Sequence, residues 1–243
     1  MSDPDAPHAL AIQHDGWGEL VLSRPARRNA LTGRMAIEAR AGLGALIAAG
    51  SKAIVLRGEG GFFSSGLDLD AFAATPPPPW RASWPQDWSG FHQDLYRSPA
   101  VIVGALERFA INGAASLALA CDLLVVGDDA YLLVGEAAIG MNAPMNIAWL
   151  RLRTTEAIAA QLALGAERIH AADLQRLGLA YKIVGKDHVV EEARSLAAKL
   201  ASYRGEALAA IKFGLRRPVT NPEDLFDANA AAGFRTAAAP PRT

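Results

Sequence analysis

The sequence predicts an α/β fold with buried sheets, and three observations carry that expectation. Ala53-Ile54-Val55-Leu56-Arg57-Gly58 is a short apolar run closed by glycine, and similar runs recur at 101–106, 123–127 and 181–185. These runs alternate with helical patterns, as strands covered on both faces do. From Met145 onward helical patterns dominate, at 145–152, 155–165, 171–177, 188–201 and 206–216.

Residues 9–13 and 17–22 alternate in polarity, and His14-Asp15-Gly16 between them predicts a hairpin. Residues 24–29 read as a polar loop. Thr32 is placed to cap an Ala-rich helix that reaches Ala49 and is closed by Gly50. Between 75 and 90 the composition changes: Thr75-Pro76-Pro77-Pro78-Pro79-Trp80 and Trp84-Pro85-Gln86-Asp87-Trp88 hold four consecutive prolines and three of the five tryptophans. Regular secondary structure is not expected there, because proline removes a donor and fixes φ. A packed surface loop is the favoured reading of this stretch and a substrate lid is the alternative, with exposed tryptophans placed to line an apolar tunnel or a subunit contact. The tail from Thr236 is expected to fray. No linker divides the chain into two independent domains.

A chain of 243 residues, 51% of them hydrophobic, buries a sizeable core. The formal charge is −1 with both signs interspersed, which argues against a nucleic-acid footprint and a polybasic membrane anchor. Cys121 stands alone inside the apolar run 117–126, so a buried reduced thiol is expected and no disulfide framework can form within the chain. Met1-Ser2-Asp3-Pro4-Asp5 lacks the basic and apolar regions of a signal peptide, and no apolar segment approaches spanning length. A soluble, cytoplasmic protein is the expectation. The histidines at 8, 14, 92, 170 and 188 show no metal-ligand spacing, so no metal is assigned.

Three segments carry the chemistry. Phe62-Phe63-Ser64-Ser65-Gly66-Leu67-Asp68-Leu69 and Ala110-Ile111-Asn112-Gly113-Ala114-Ala115-Ser116 place glycines at strand-to-helix turns, where a bare N–H can approach a ligand oxygen. Gly135-Glu136 places a lone carboxylate after an apolar run. Two backbone donors and one carboxylate suit enolate chemistry on a thioester.

With these segments the chain resembles the crotonase superfamily, the enoyl-CoA hydratases and isomerases. Leu22-Ser23-Arg24-Pro25-Ala26-Arg27-Arg28-Asn29-Ala30-Leu31 resembles that family's first CoA-facing loop. Residues 54–70 resemble its strand, Gly-x-Asp turn and helix, and Asn112 to Asp122 resembles its second donor turn and helix. Residues 136–140 and 166–178 continue the match in order, from about residue 10 to about residue 215. The resemblance implies a ββα spiral core over 1–185 and a C-terminal helical region over 186–243, shortened here, that drives trimer formation. It also implies a CoA thioester as ligand, no cofactor beyond that coenzyme A, and a homotrimer or dimer of trimers.

Carried over by position, the backbone N–H groups of Leu67 and Gly113 form an oxyanion hole. Glu136 matches one of the two glutamates that hydratases of the family use, and the other position falls on Ser116. Ala26, Arg27 and Arg28, with Ser65, Gly66, Leu67 and Asp68, fall where relatives meet the CoA moiety. Solvated surface arginines are the plain alternative for Arg27 and Arg28, and a helix cap is the favoured reading of Asp68. Asp122 reads as structural. Serine is a poor base without a partner such as histidine; no histidine is close to Ser116 in sequence, and His92 is the candidate to approach it in the fold.

A single glutamate suffices for a 1,3-proton shift, so double-bond isomerisation with Glu136 as shuttle is the leading reading. A hydratase using Glu136 and a water held by Ser116, and a non-catalytic acyl-CoA-binding paralogue, are the alternatives. The extra aspartate of dienoyl-CoA isomerases falls on Pro144, and no dehalogenase-type aspartate occurs among Met141, Asn142, Ala143 and Pro144. Asn142 and Asn146 are read either as orienting a polar acyl group or as capping the helix at 145–152. Further departures are Glu107-Arg108 after the central strand and the short C-terminal segment around Gly233-Phe234-Arg235-Thr236. Lys212, Arg216 and Arg217 are the candidates for holding the adenine end instead.

Overall fold

A computed structural model describes residues 6–216. The hairpin strands β1 (Ala9–Gln13) and β2 (Trp17–Leu22) pair antiparallel, and His14 stacks on Trp17 at their turn. Helix α1 (Gly33–Ala48) follows, with the Thr32 hydroxyl accepting from the Met35 amide and Gly50 at φ +85° beyond its end. Strand β3 (Ala53–Gly58) then pairs parallel to β2.

From β3 onward the chain repeats one path. A strand enters a large sheet, the next segment steps into a small sheet, and a helix returns. Thus β3 leads through Ser64 to α2 (Leu69–Ala73); β4 (Val101–Leu106) leads through β5 (Phe109–Ile111) to α4 (Gly113–Ala120). Next, β6 (Leu123–Gly127) leads through β7 (Tyr131–Leu133) to α5 (Pro144–Arg153). The helix between the first two turns is α3 (Trp84–Arg97). After α5 come α6 (Glu156–Gly165), β8 (Arg168–His170), α7 (Ala171–Arg176), β9 (Lys182–Val184), α8 (Val189–Ala201) and α9 (Gly205–Leu215). The large sheet has the order β1-β2-β3-β4-β6-β9 and is parallel from β2 onward; the small one is β5-β7-β8. Bridges Ser64 to Ala110 and Leu31 to Leu67 tie successive turns together.

Strand periodicity divides the core in two. Leu20, Leu22, Ile54, Leu56, Ile102 and Leu106 face the helices of the spiral. Their alternates Ala53, Val55, Val101, Val103 and Ala105 face α8, which packs Val189, Ala193, Leu196, Ala197 and Leu200 on them. Among the described residues, no helix is long and apolar enough to cross a membrane.

Two departures from the sequence expectations concern the site. The stretch 75–90 is not irregular throughout: Pro79–Arg81 is a 3₁₀ turn, and α3 starts at Trp84. Pro85 lies in the first turn of α3, where its missing N–H would have had no intrahelical acceptor. The small sheet went unforeseen because each of its strands has only three residues, too few for a periodic signal. The 217–243 segment, with Arg217, Gly233 to Thr236 and the tail from Thr236, lies outside the described residues.

Candidate active site

The two glycine turns bring Leu67 and Gly113 to the wall of one cavity. Gly66 has φ +87°, and a Cβ there would stand 2.6 Å from the Ile111 carbonyl oxygen, so only glycine fits the turn. Its carbonyl accepts from the Leu31 amide at 2.8 Å, and the Asp68 amide donates to the Leu31 carbonyl at 2.9 Å. The Gly66–Leu67 peptide is trans, so the Leu67 N–H points away from Leu31. Asn112 has φ +53° and ψ −118°, a strained backbone for a residue with a Cβ. It turns the chain so that Gly113 opens α4. Its carbonyl accepts from the Ala115 amide at 2.8 Å and from Asn146 Nδ2 at 3.0 Å. Among the described residues, neither the Leu67 nor the Gly113 amide has an acceptor.

A cavity of ≈ 250 Å³ is lined by Leu67, Gly113, Ser116 and Glu136, with Trp84, Trp88, Asn142 and Asn146 also on its wall. Glu136 follows β7 at the start of a 3₁₀ turn (Ala137–Ile139) and is 7% exposed. Asn146, inside α5 and 1% exposed, donates from Nδ2 to Glu136 Oε1 at 2.8 Å. Glu136 Oε2 is buried and has no partner. Burial pushes the Glu136 carboxyl above the ordinary carboxylate range, against its own backbone amide and Asn146, which favour the ionised form. Glu136 is the single ionisable group among the described residues of this wall.

Ser116 is fully buried, and its neighbours fix its role as a hydrogen-bonding group. The Trp149 indole N–H donates to His92 Nδ1 at 2.8 Å, so the neutral imidazole carries its proton on Nε2. That nitrogen lies 3.2 Å from Ser116 Oγ, which therefore accepts, while its own hydrogen goes to the Gly113 carbonyl at 2.6 Å. Burial pushes His92 down to about 3. His92 reaches Ser116, as the sequence allowed, but as a donor. Ser116 is not an activated nucleophile.

A second cavity, ≈ 280 Å³, is lined by Ala26, Arg27, Arg28, Ser65, Leu67 and Asp68. It shares Ser65, Leu67 and Leu69 with the first. Gly66 lines neither, and serves the turn behind them. Asp68 caps α2, accepting from the Ala71 amide at 3.1 Å, and pairs with Arg24 at 2.9 Å and Arg27 at 3.1 Å. Burial raises the Asp68 carboxyl, but the Ala71 amide and the Arg24 and Arg27 guanidiniums outweigh it and hold it low. Arg27 also meets Asp70 at 2.7 Å, whereas exposed Arg28 has no ion pair among the described residues.

Three expectations need correction. Lys212 and Arg216 do not offer free charge to a ligand: both pair with Asp122 at 2.7 Å, and Lys212 is buried. Asp122 is structural, as expected. Asn142 and Asn146 do not cap α5, whose N-cap is Ala143 with no side-chain bond; Asn142 only accepts from the Ala143 amide. Trp84 and Trp88, stacked at 5.0 Å, line the cavity rather than only packing at the surface. Sequence reasoning did not see Trp149 as the partner of His92; no local pattern links residues 57 positions apart.

The chain is similar to known proteins. The family model described as enoyl-CoA hydratase/isomerase matches residues 14–232. A probable enoyl-CoA hydratase of Rhodobacter capsulatus is 31% identical, covering 86% of this chain and 80% of its own. The 2,3-dehydroadipyl-CoA hydratase of Escherichia coli is 29% identical, with 82% and 77% covered. A Polaromonas enoyl-CoA hydratase structure superposes with a TM-score of 0.82 at 26% identity, covering 93% of this chain and 90% of that one. A Thermobifida fusca protein crystallised in complex with CoA gives 0.81 at 29% identity, with 94% and 93% covered.

Proposed function

This chain belongs to the enoyl-CoA hydratase/isomerase family, and we propose that it moves a carbon–carbon double bond within an acyl-CoA thioester. One observation carries the choice of reaction: Glu136 is the single ionisable group on the cavity wall among the described residues. The thioester carbonyl oxygen sits between the Leu67 and Gly113 amides. Glu136 Oε2 removes a proton from C2 of a 3-enoyl thioester, and the C2–H electrons form the dienolate held by the two amides. The same oxygen returns the proton at C4, leaving the double bond between C2 and C3. Nothing is added or lost. A base raised by burial is matched to this task, since it takes the proton strongly and shares no site with a second carboxylate.

The CoA moiety runs past Ser65 into the neighbouring cavity, where Arg28 is the guanidinium without an ion pair among the described residues and Arg27 must be shared with Asp68 and Asp70. No cofactor beyond that CoA is needed. The names of the Rhodobacter and Escherichia relatives favour a second reading, hydration of a 2-enoyl thioester, in which Glu136 serves twice. The resemblance to the family supports a homotrimer or dimer of trimers, and a cytoplasmic location accords with the lone, buried Cys121, whose thiol is pushed up to about 12 by burial.

Incubation with a trans-3-enoyl-CoA, followed by the absorbance of the conjugated thioester, tests the proposal. Appearance of that absorbance is expected, and its loss in Glu136→Gln.

A further inference from the structure

Asn146 holds both halves of the proposed site. Its Nδ2 lies 2.8 Å from Glu136 Oε1 and 3.0 Å from the Asn112 carbonyl oxygen. Both are acceptors, so the two amide hydrogens face them and Oδ1 takes the other side. There Oδ1 is buried with no partner, which shows that the carboxamide is oriented by what its nitrogen does. The Asn112 carbonyl belongs to the peptide whose N–H is that of Gly113. In a trans peptide the two groups are opposed, so fixing the carbonyl aims the Gly113 N–H. The unusual Asn112 backbone is pinned on its remaining sides by the Leu133 carbonyl at 2.7 Å and by the Gly135 amide, which donates to its Oδ1 at 2.9 Å. Gly135 is the residue before Glu136, so donor turn and carboxylate are also linked through the backbone.

We infer that Asn146 is a positioning residue that ties the Glu136 carboxylate to the Gly113 backbone donor. One planar amide sets the distance between the group that moves the proton and the group that holds the oxyanion. Enolate formation requires both to meet the same thioester within a fraction of an ångström. Binding Oε1 leaves Oε2 for the proton, and a hydrogen bond to the Asn112 carbonyl polarises the peptide towards a stronger N–H donor.

This inference rests on Glu136 as the proton shuttle, and its test separates the two. Asn146→Ala and Asn146→Ser are compared with the parent chain by NMR of the Glu136 carboxyl carbon and the Gly113 amide, in protein alone. Steady-state rates with a trans-3-enoyl-CoA are measured in parallel. Asn146→Ala is expected to raise the Glu136 titration midpoint, shift the Gly113 amide resonance and lower kcat about 10–100-fold with KM nearly constant. Asn146→Ser, which keeps one donor, recovers part of each, and it is read alone if the alanine variant does not fold. A Glu136 midpoint or a Gly113 resonance that stays at its parent position overturns the inference, whatever the activity. Both signals moving in a protein whose parent form turns over no enoyl-CoA leaves the tie standing and overturns the functional reading.

Discussion

Trp149 donates its indole N–H to His92 Nδ1, and this one bond decides what Ser116 can do. An indole nitrogen can only donate, so His92 Nδ1 can only accept, and the imidazole proton must sit on Nε2 facing Ser116. A serine that receives a proton from histidine is wired opposite to a nucleophile. Ser116→Ala is therefore expected to lower turnover less than about tenfold, far less than loss of a catalytic base would. Enoyl-CoA kinetics on that variant check it, and no acyl-serine adduct is expected by mass analysis of the parent chain.

The same burial makes His92 a source of acid sensitivity. Its folded value of about 3 lies below the unfolded 6.5, so the unfolded chain binds more protons between the two. Stability then falls as pH drops below about 6.5, and about 2 kcal/mol is lost by about pH 5, before most carboxylates titrate. Denaturant melts of the parent and of His92→Gln at the two pH values check this, and the slope is expected to flatten in the variant.

Glu136 carries the opposite sign of a paired carboxylate. Its folded value is raised by burial, so the ionised form destabilises the fold above that value and the penalty fades as pH falls through it. Glu136→Gln is expected to melt higher than the parent at pH 7 and to lose at least about 100-fold in turnover. In the parent, the acid limb of kcat lies above the ordinary carboxylate range. Calorimetry and a pH–rate profile read these together.

The two glycines of the donor turns answer substitution differently. Gly66→Ala forces a Cβ against the Ile111 carbonyl at positive φ, and it is expected to cost more than about 1–2 kcal/mol of stability. A Cβ on Gly113 meets only Leu31 Cδ1 at 3.3 Å and Trp88 Cζ2 at 3.8 Å. Gly113→Ala should fold with near-parent stability yet turn over poorly, because the methyl stands beside the amide proposed to hold the oxyanion. Thermal melts alongside kcat/KM distinguish the two.

Much of this was legible in the chain. Thr32, the 53–58 run and Gly66 each act locally, through a cap, a strand period and a turn, and each was readable within about ten residues. The convergence of Leu67, Gly113, Ser116 and Glu136 was legible only through their order along a familiar family pattern. What was not legible is tertiary. Asn146 reaches Glu136 and Asn112 because α5 packs on α4, and Trp149 meets His92 because α3 and α5 flank that same helix. The start of α3 was hidden by Pro85, whose effect depends on its place in the first turn. Lys212 looked like a free cation until its burial against Asp122 was visible.

The most direct measurement follows the absorbance of the conjugated thioester, with mass analysis of the product, after incubation of trans-3-hexenoyl-CoA with the protein in D2O, beside Glu136→Gln. Conversion to the conjugated 2-enoyl thioester without addition of water, abolished in Glu136→Gln, is the expected result. A 3-hydroxyacyl product, or conversion that persists in the variant, would contradict Glu136 as the lone shuttle of a double-bond isomerase.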